Sequence, residues 1–279
     1  MDAQLILAIG GGSVIDTAKA IAHGRANPDI DIWDFWLGKK KVEKTTPVGV
    51  ILTIPASGSE TSDSAVLTDE TILQKRGLNT DYNRPVFAIM DPTLAATLPR
   101  RQVACGVTDI LMHTLERYFN PIQGNETTMQ LAESVLRVTI ANGPAVVDNP
   151  GDYDAMSEIM WCGSLSPNGL TGLGGAKGLS VHPVSFALSE KYDIIHGEAL
   201  SALWCSWARY VYKDCLPRFV KYAVNVMGVT PGATDEETAL AGIAAMEEFY
   251  HRIGMPVNFK ELGIDPTDEQ MAEMAASCA

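Results

Sequence analysis

Asp109 and His113 stand four residues apart in GVTDILMHTLERYF (106–119), a stretch of helical periodicity, so both side chains project from one helix face. A carboxylate and an imidazole placed this way can hold one metal ion, and equally can form a plain surface hydrogen bond. His182 and His196 follow in VHPVSFALSEKYDIIHGEAL (181–200). The chain has only five histidines, so three of them in motif-like settings beside a helical aspartate point to one constellation. Imidazole nitrogens and one carboxylate suit Zn2+ or Fe2+ and leave an open position for a substrate oxygen. The other two histidines read as ordinary. His23 falls at the end of the first helix, where a cation suits the dipole, and His251 lies in the last turn of its own helix.

Two further segments suit a phosphate-bearing ligand. In GGGSVIDTAKA (10–20) a strand runs into three glycines and then a helix, so Gly11, Gly12 and Ser13 offer free amides to a pyrophosphate. Taken alone, such a turn is equally a tight connection. TIPASGSE (53–60) also follows a strand directly and presents the hydroxyls of Thr53 and Ser57 beside a glycine. Small hydroxylated residues at a strand's C-terminal end suit the ligand crevice of α/β sheets, and they also serve as ordinary loop caps.

The elements that must position these groups divide the chain in two. Leu5–Ile9, Val48–Leu52 and Val86–Met90 are short, branched apolar runs bounded by Gly, Pro or polar residues, and read as buried parallel strands of one sheet. A helix is predicted from about Ser13 to His23, and a β-hairpin from Ser64–Asp69 and Thr71–Lys75, turning back towards Asn83. Beyond Asp91 helical periods dominate, at Arg101–Phe119, Glu126–Ile140, Tyr153–Gly163, Leu216–Met227 and Thr238–Ile253. Thr234 with Glu237 makes a capping box for the last of these, and Gly254 and Pro256 end it. The expected fold is thus an α/β N-terminal part with a partial Rossmann-like parallel sheet (1–97) and an all-α C-terminal domain (98–279), divided near the LPRR segment. The chain starts just before a strand expected inside the sheet and stops within a helix opened by Thr267 and Gln270, so it reads as truncated at both ends or as a split reading frame.

Composition removes several classes of function. A net charge of −13 opposes a phosphate-tracking partner, which excludes nucleic acid. Five cysteines without a C-x-x-C pair or regular spacing argue against a disulfide framework and for a reduced, cytoplasmic setting. No signal-type segment and no apolar run of membrane-spanning length is present, so no membrane partner is expected.

Taken in order, GGGSxxDxAK, TxPASGSE, DPTLAATLP, the D-x-x-x-H helix and the H-x13-H-G pair make the chain resemble the iron-containing (group III) alcohol dehydrogenases over nearly its whole length. TIPASGSE and SEKYDIIHG are most similar to the branch containing butanol dehydrogenases and broad-range aldehyde reductases. The resemblance implies reversible hydride transfer between NAD(P)H and an aldehyde, with a primary alcohol in the reverse direction. It implies that Asp109, His113, His182 and His196 bind one divalent metal, Fe2+ or Zn2+. It further implies that Gly11, Gly12, Ser13, Thr53 and Ser57 hold the nucleotide, NADP(H) or NAD(H), with Lys75 reaching its ribose or phosphate region and Leu94 packing nearby. A homodimer or larger homo-oligomer also follows by resemblance, and the branch favours NADPH by analogy. Many members carry a further histidine where this chain has Phe186, so the hydroxyl proton must come from water, a ribose hydroxyl or another group, and Phe186 is assigned to an apolar substrate pocket.

Two rivals remain at this stage. A lyase like dehydroquinate synthase shares the architecture, but its polar phosphorylated substrate needs converging Lys and Arg, and none accompanies the motifs around His182 and His196. A non-catalytic remnant would keep the metal helices without enough nucleotide site to turn over.

Overall fold

The computed structural model describes residues 3–72, 74–122, 124–175 and 179–278. The three branched apolar runs form the strands β1 (Ile6–Gly10), β2 (Val48–Leu52) and, downstream of the hairpin, β5 (Phe87–Ile89), paired in parallel in the order β1-β2-β5. The register sets Ile6 against Val48 and Gly49 against Phe87. Parallel strands need crossovers, and the helix α1 (Gly12–Ala26) supplies the first, burying Ile15, Ala18 and Ala22. The sheet's other face is open, with Leu7, Ile9, Phe87 and Ile89 all exposed. The short helix α2 (Trp33–Trp36) packs beside the antiparallel hairpin β3 (Ser64–Asp69) and β4 (Gln74–Asn79).

The second arm of that hairpin differs from the predicted Thr71–Lys75. Asp69 accepts hydrogen bonds from both the amide (2.9 Å) and the hydroxyl (2.6 Å) of Thr71, which commits Thr71 to the turn. Pairing therefore resumes only at Gln74, and Lys75 lies opposite Thr68.

From Arg100 onward the chain is helical: α3 (Arg100–Tyr118), α4 (Glu126–Asp148), α5 (Tyr153–Leu165), α6 (Val181–Tyr192), α7 (His196–Val211), α8 (Leu216–Lys221), α9 (Asp235–Ile253), α10 (Phe259–Leu262) and α11 (Asp268–Ser277). Both capping boxes read from sequence are present, Thr234 with Glu237 and Thr267 with Gln270. Helix α4 runs on past Ile140 through Pro144, and α8 passes into a π-helical turn at Tyr222–Val226 where one continuous helix was expected. One apolar cluster runs without a break from Ala8, Val50 and Leu52 of the sheet to Leu111, Leu136 and Trp204 of the helices. Fully burying such side chains stabilises the fold by roughly 1.5–3 kcal/mol each. No helix among the described residues is long and apolar enough to cross a membrane.

His23 corrects one expectation. It is fully buried, and its Nε2 lies 2.7 Å from Asn83 Oδ1. Burial pushes its pKa down, so it is a neutral core residue rather than a cation at the helix end.

Candidate active site

Parallel strands discharge their loops at one edge. Gly10–Ser13 follows β1, Thr53–Ser57 follows β2, and the turn carrying Leu94 follows β5. The first two loops touch. Thr53 donates its amide to Gly10 O (3.1 Å), and a Cβ at Gly12 would sit 2.4 Å from Ser57 Oγ, so the two loops are in close contact. Gly11 is the N-cap of α1 and has no side chain to cap it, which leaves the amides of the first turn available to an anion. Leu94 is exposed at the same edge.

Asp16 and Lys19, one turn apart on α1, fasten the second loop. Lys19 Nζ donates to Ser59 O (2.8 Å), Ser59 Oγ (2.7 Å) and Ser64 O (2.7 Å). Asp16 accepts from Ser59 Oγ (2.5 Å) and from the Val66 amide (2.9 Å). Burial is the main influence on both groups, raising Asp16 and bringing Lys19 down to about 8 against the pull of Asp16. The pair was visible as the D-x-A-K of the first motif, but its role as a clasp was not.

The four predicted ligands come together. Asp109 Oδ1 lies 3.3 Å from His113 Nδ1, 3.5 Å from His182 Nε2 and 3.8 Å from His196 Nε2. Asp109 and His113 share a face of α3, His182 lies in the first turn of α6, and His196 opens α7. Close helix packing makes this possible. A Cβ at Gly197 would come 2.6 Å from Cys105 Cα, so glycine after His196 lets α7 lie against α3.

The donor set fits a metal. Asp109 Oδ1, His113 Nδ1 and His182 Nε2 are buried without hydrogen-bond partners, yet all point to one place. Ligands bound at roughly 2.0–2.2 Å in a tetrahedral shell stand about 3–4 Å apart, the spacing seen here. Burial is the largest influence on each group. It lowers His113 to about 3 and His196 to about 4, leaving them neutral donors. Against burial, the three histidines hold Asp109 well below the usual carboxylate range, while Asp109 and Glu116 raise His182 to about 9.

Glu116 is a functional residue the sequence reading missed. Its Oε2 is hydrogen-bonded to His182 Nδ1, and its Oε1 accepts the amides of Ser180 and Val181 at the start of α6. One buried carboxylate thus caps a helix and fixes the ring that aims Nε2 at Asp109. The signal available was its spacing, seven residues after Asp109 on the same helical face. Ser185 was missed too. Its hydroxyl lies 3.2 Å from His196 Nδ1 and donates to His182 O at 2.7 Å.

Phe186 rims the cluster. Its ring stacks on His196 (centroids 5.3 Å, 26° between planes), and Lys75 Nζ sits 4.4 Å above it. The hairpin therefore brings a cation beside the histidine motifs that sequence distance had kept apart. A cleft of about 160 Å3 is lined by Ser57 and Ser59 together with His113 and Arg117, so the loop after β2 and the histidine cluster border one opening.

The iron-containing alcohol dehydrogenase model matches residues 1–92, and the C-terminal model of the Fe-containing alcohol dehydrogenase family matches 103–279. The chain belongs to the iron-containing alcohol dehydrogenase family. It is 38% identical over 274 residues to NADH-dependent butanol dehydrogenase A of Clostridium acetobutylicum, covering 98% of this chain and 70% of that one. It is 33% identical over 262 residues to the NADPH-dependent aldehyde reductase YqhD of Escherichia coli, covering 93% and 67%. Among solved structures of the family, NADH-dependent butanol dehydrogenase A from Thermotoga maritima superposes with a TM-score of 0.92 at 33% identity, covering 99% of this chain and 68% of its own.

Proposed function

We propose that this oxidoreductase transfers hydride reversibly between NAD(P)H and an aldehyde, returning a primary alcohol, at a site formed by Asp109, His113, His182 and His196. The observation that carries the reading is the convergence of three buried, partnerless ligand atoms, Asp109 Oδ1, His113 Nδ1 and His182 Nε2, beside His196. When bound, a divalent cation supplies Lewis-acid polarisation of the carbonyl, and the nicotinamide supplies the hydride. The three-nitrogen, one-oxygen donor set suits Fe2+ or Zn2+.

The chain's own residues bind, orient and exclude water. Gly11, Gly12 and Ser13 offer amides to the cofactor's phosphates, Thr53 and Ser57 its polar contacts on the neighbouring loop, and Lys75 and Leu94 flank it. Both NADH- and NADPH-dependent relatives are similar to this chain. Glu116 holds His182 in the tautomer that presents Nε2, and Ser185 steadies His196. Phe186 lies beside both rings and keeps water from the reacting carbon. In this reading residues 1–97 form the nucleotide-binding part and 98–279 the metal-binding part. The open apolar sheet face supports a homodimer or larger assembly, and five unpaired cysteines support a reduced cytoplasmic setting.

The test is steady-state butyraldehyde reduction by metal-reconstituted protein, comparing NADPH with NADH beside a His196→Ala control. Turnover that the control loses supports the reading. Intact metal binding without cofactor binding or turnover overturns it in favour of a non-catalytic relative.

A further inference from the structure

His196, Gly197 and Glu198 open α7, and each meets α3 at a different point. The Nε2 of His196 lies 3.8 Å from Asp109 Oδ1. A Cβ at Gly197 would fall 2.6 Å from Cys105 Cα and 2.7 Å from its carbonyl oxygen, so the two backbones pack closely there. Glu198 accepts a two-pronged contact from Arg101, with Oε1 2.5 Å from Nε and Oε2 2.6 Å from Nη2. Asp109, Cys105 and Arg101 follow one another at intervals of four residues and so lie along one face of α3. Consecutive residues of α7 thus meet consecutive turns of α3, like three rungs of a ladder. The metal-ligand candidate is at one end and an ion pair is at the other.

His196 needs such a fixture. The start of α7 has no side-chain cap, since its N-cap residue is Ile195. The His196 side chain is 29% exposed, against 14% for His113 and 4% for His182, and of the three imidazoles it stands farthest from Asp109. A slip of one rung would carry it roughly 6 Å along α3 and away from the other three ligands. The middle rung sets how closely the helices approach, but a contact through glycine has no side chain to oppose sliding. The outer rung opposes it. A guanidinium fork and a carboxylate meet bidentately in one geometry, and the Glu198 side chain is only 12% exposed. Because Arg101 is itself exposed, the pair adds little to global stability, and its effect falls on register.

We infer that Arg101 and Glu198 are positioning residues that set the register of α7 on α3 and so hold His196 at the metal site. The inference rests on the reading of Asp109, His113, His182 and His196 as one metal site.

Calorimetric titration of the metal-stripped chain with Zn2+ measures affinity, and the visible absorption of the Co2+-loaded chain reports ligand geometry. Arg101→Ala and Glu198→Ala should each weaken Zn2+ binding about three- to tenfold, less than the roughly 10–100-fold lost with an outer partner that touches a ligand directly. Each should also shift the Co2+ bands. The double variant should bind no more weakly than either single one, because both act through one contact. In a His196→Ala background, Arg101→Ala should change nothing further, whereas a general loosening of the fold would weaken binding there too. Unchanged affinity and spectrum in both single variants, losses that add in the double variant, or an Arg101→Ala effect that persists without His196 each overturns the inference and leaves the metal-site reading standing. Zn2+ binding that is absent, or that His196→Ala leaves unmoved, overturns both.

Discussion

Two buried clusters of charge sit on opposite sides of the same cleft and teach opposite lessons. Around Asp16 and Lys19, the ammonium donates to three serine oxygens and both carboxylate oxygens accept a hydrogen bond. Around Asp109, by contrast, an oxygen and two ring nitrogens are buried, mutually close and without partners. Burial and shifted pKa values are common to both, so neither marks function by itself. What separates them is satisfaction: a closed network holds a loop in place, and an open one waits for a ligand.

The contrast breaks most sharply on Asp109. Asp109→Ala removes the oxygen shared by all three imidazoles, and metal retention should fall by more than the roughly 10–100-fold that loss of an outer partner costs. Equilibrium dialysis against Zn2+ reads this directly, and an unchanged affinity would place the metal elsewhere. On the other side, Lys19→Met should destabilise the fold by roughly 3–5 kcal/mol in chemical denaturation, because Asp16 is left without its cation. Its metal stoichiometry should not move. Were the metal lost as well, the two clusters would be one functional unit.

Glu116→Gln sharpens the same division within the open cluster. It should weaken metal binding roughly 10–100-fold while every ligand remains. A variant that binds metal normally would reduce Glu116 to a helix cap.

The smallest effect is a pH slope. Lys19 keeps its proton up to about 8 in the folded chain, against an ordinary value of 10.5. Between those values the unfolded chain binds more protons, so stability rises with pH. The cost of burying the cation is full below about 8 and gone by about 10.5. Stability measured across this window should rise less steeply in Lys19→Met than in the wild type.

Much of this was legible because local chemistry dictated it. The branched runs formed the parallel strands β1, β2 and β5 as read, although only β2 is buried through most of its length and β1 and β5 leave one face open, and the spacing of Asp109 and His113 put them on one helical face. Helices α6 and α7 were not anticipated, although they carry His182 and His196. The reason is physical for α6: no side chain of its own caps it, and the cap comes from Glu116, 64 residues earlier. A long-range cap leaves no local signature. Likewise the helix expected over Glu126–Ile140 continues through Pro144 to Asp148, held by packing of Val146 and Val147 in the core. Lys75 was read as a cofactor contact, while its place over Phe186 depended on how the hairpin folds across α6.

The central claim is that Asp109, His113, His182 and His196 form one metal site. Calorimetric titration of the metal-stripped chain with Zn2+ or, anaerobically, Fe2+ tests it most directly. One saturable site per chain, abolished by Asp109→Ala and retained by Lys19→Met, is the predicted result. No saturable site, or one that persists in Asp109→Ala, would contradict it.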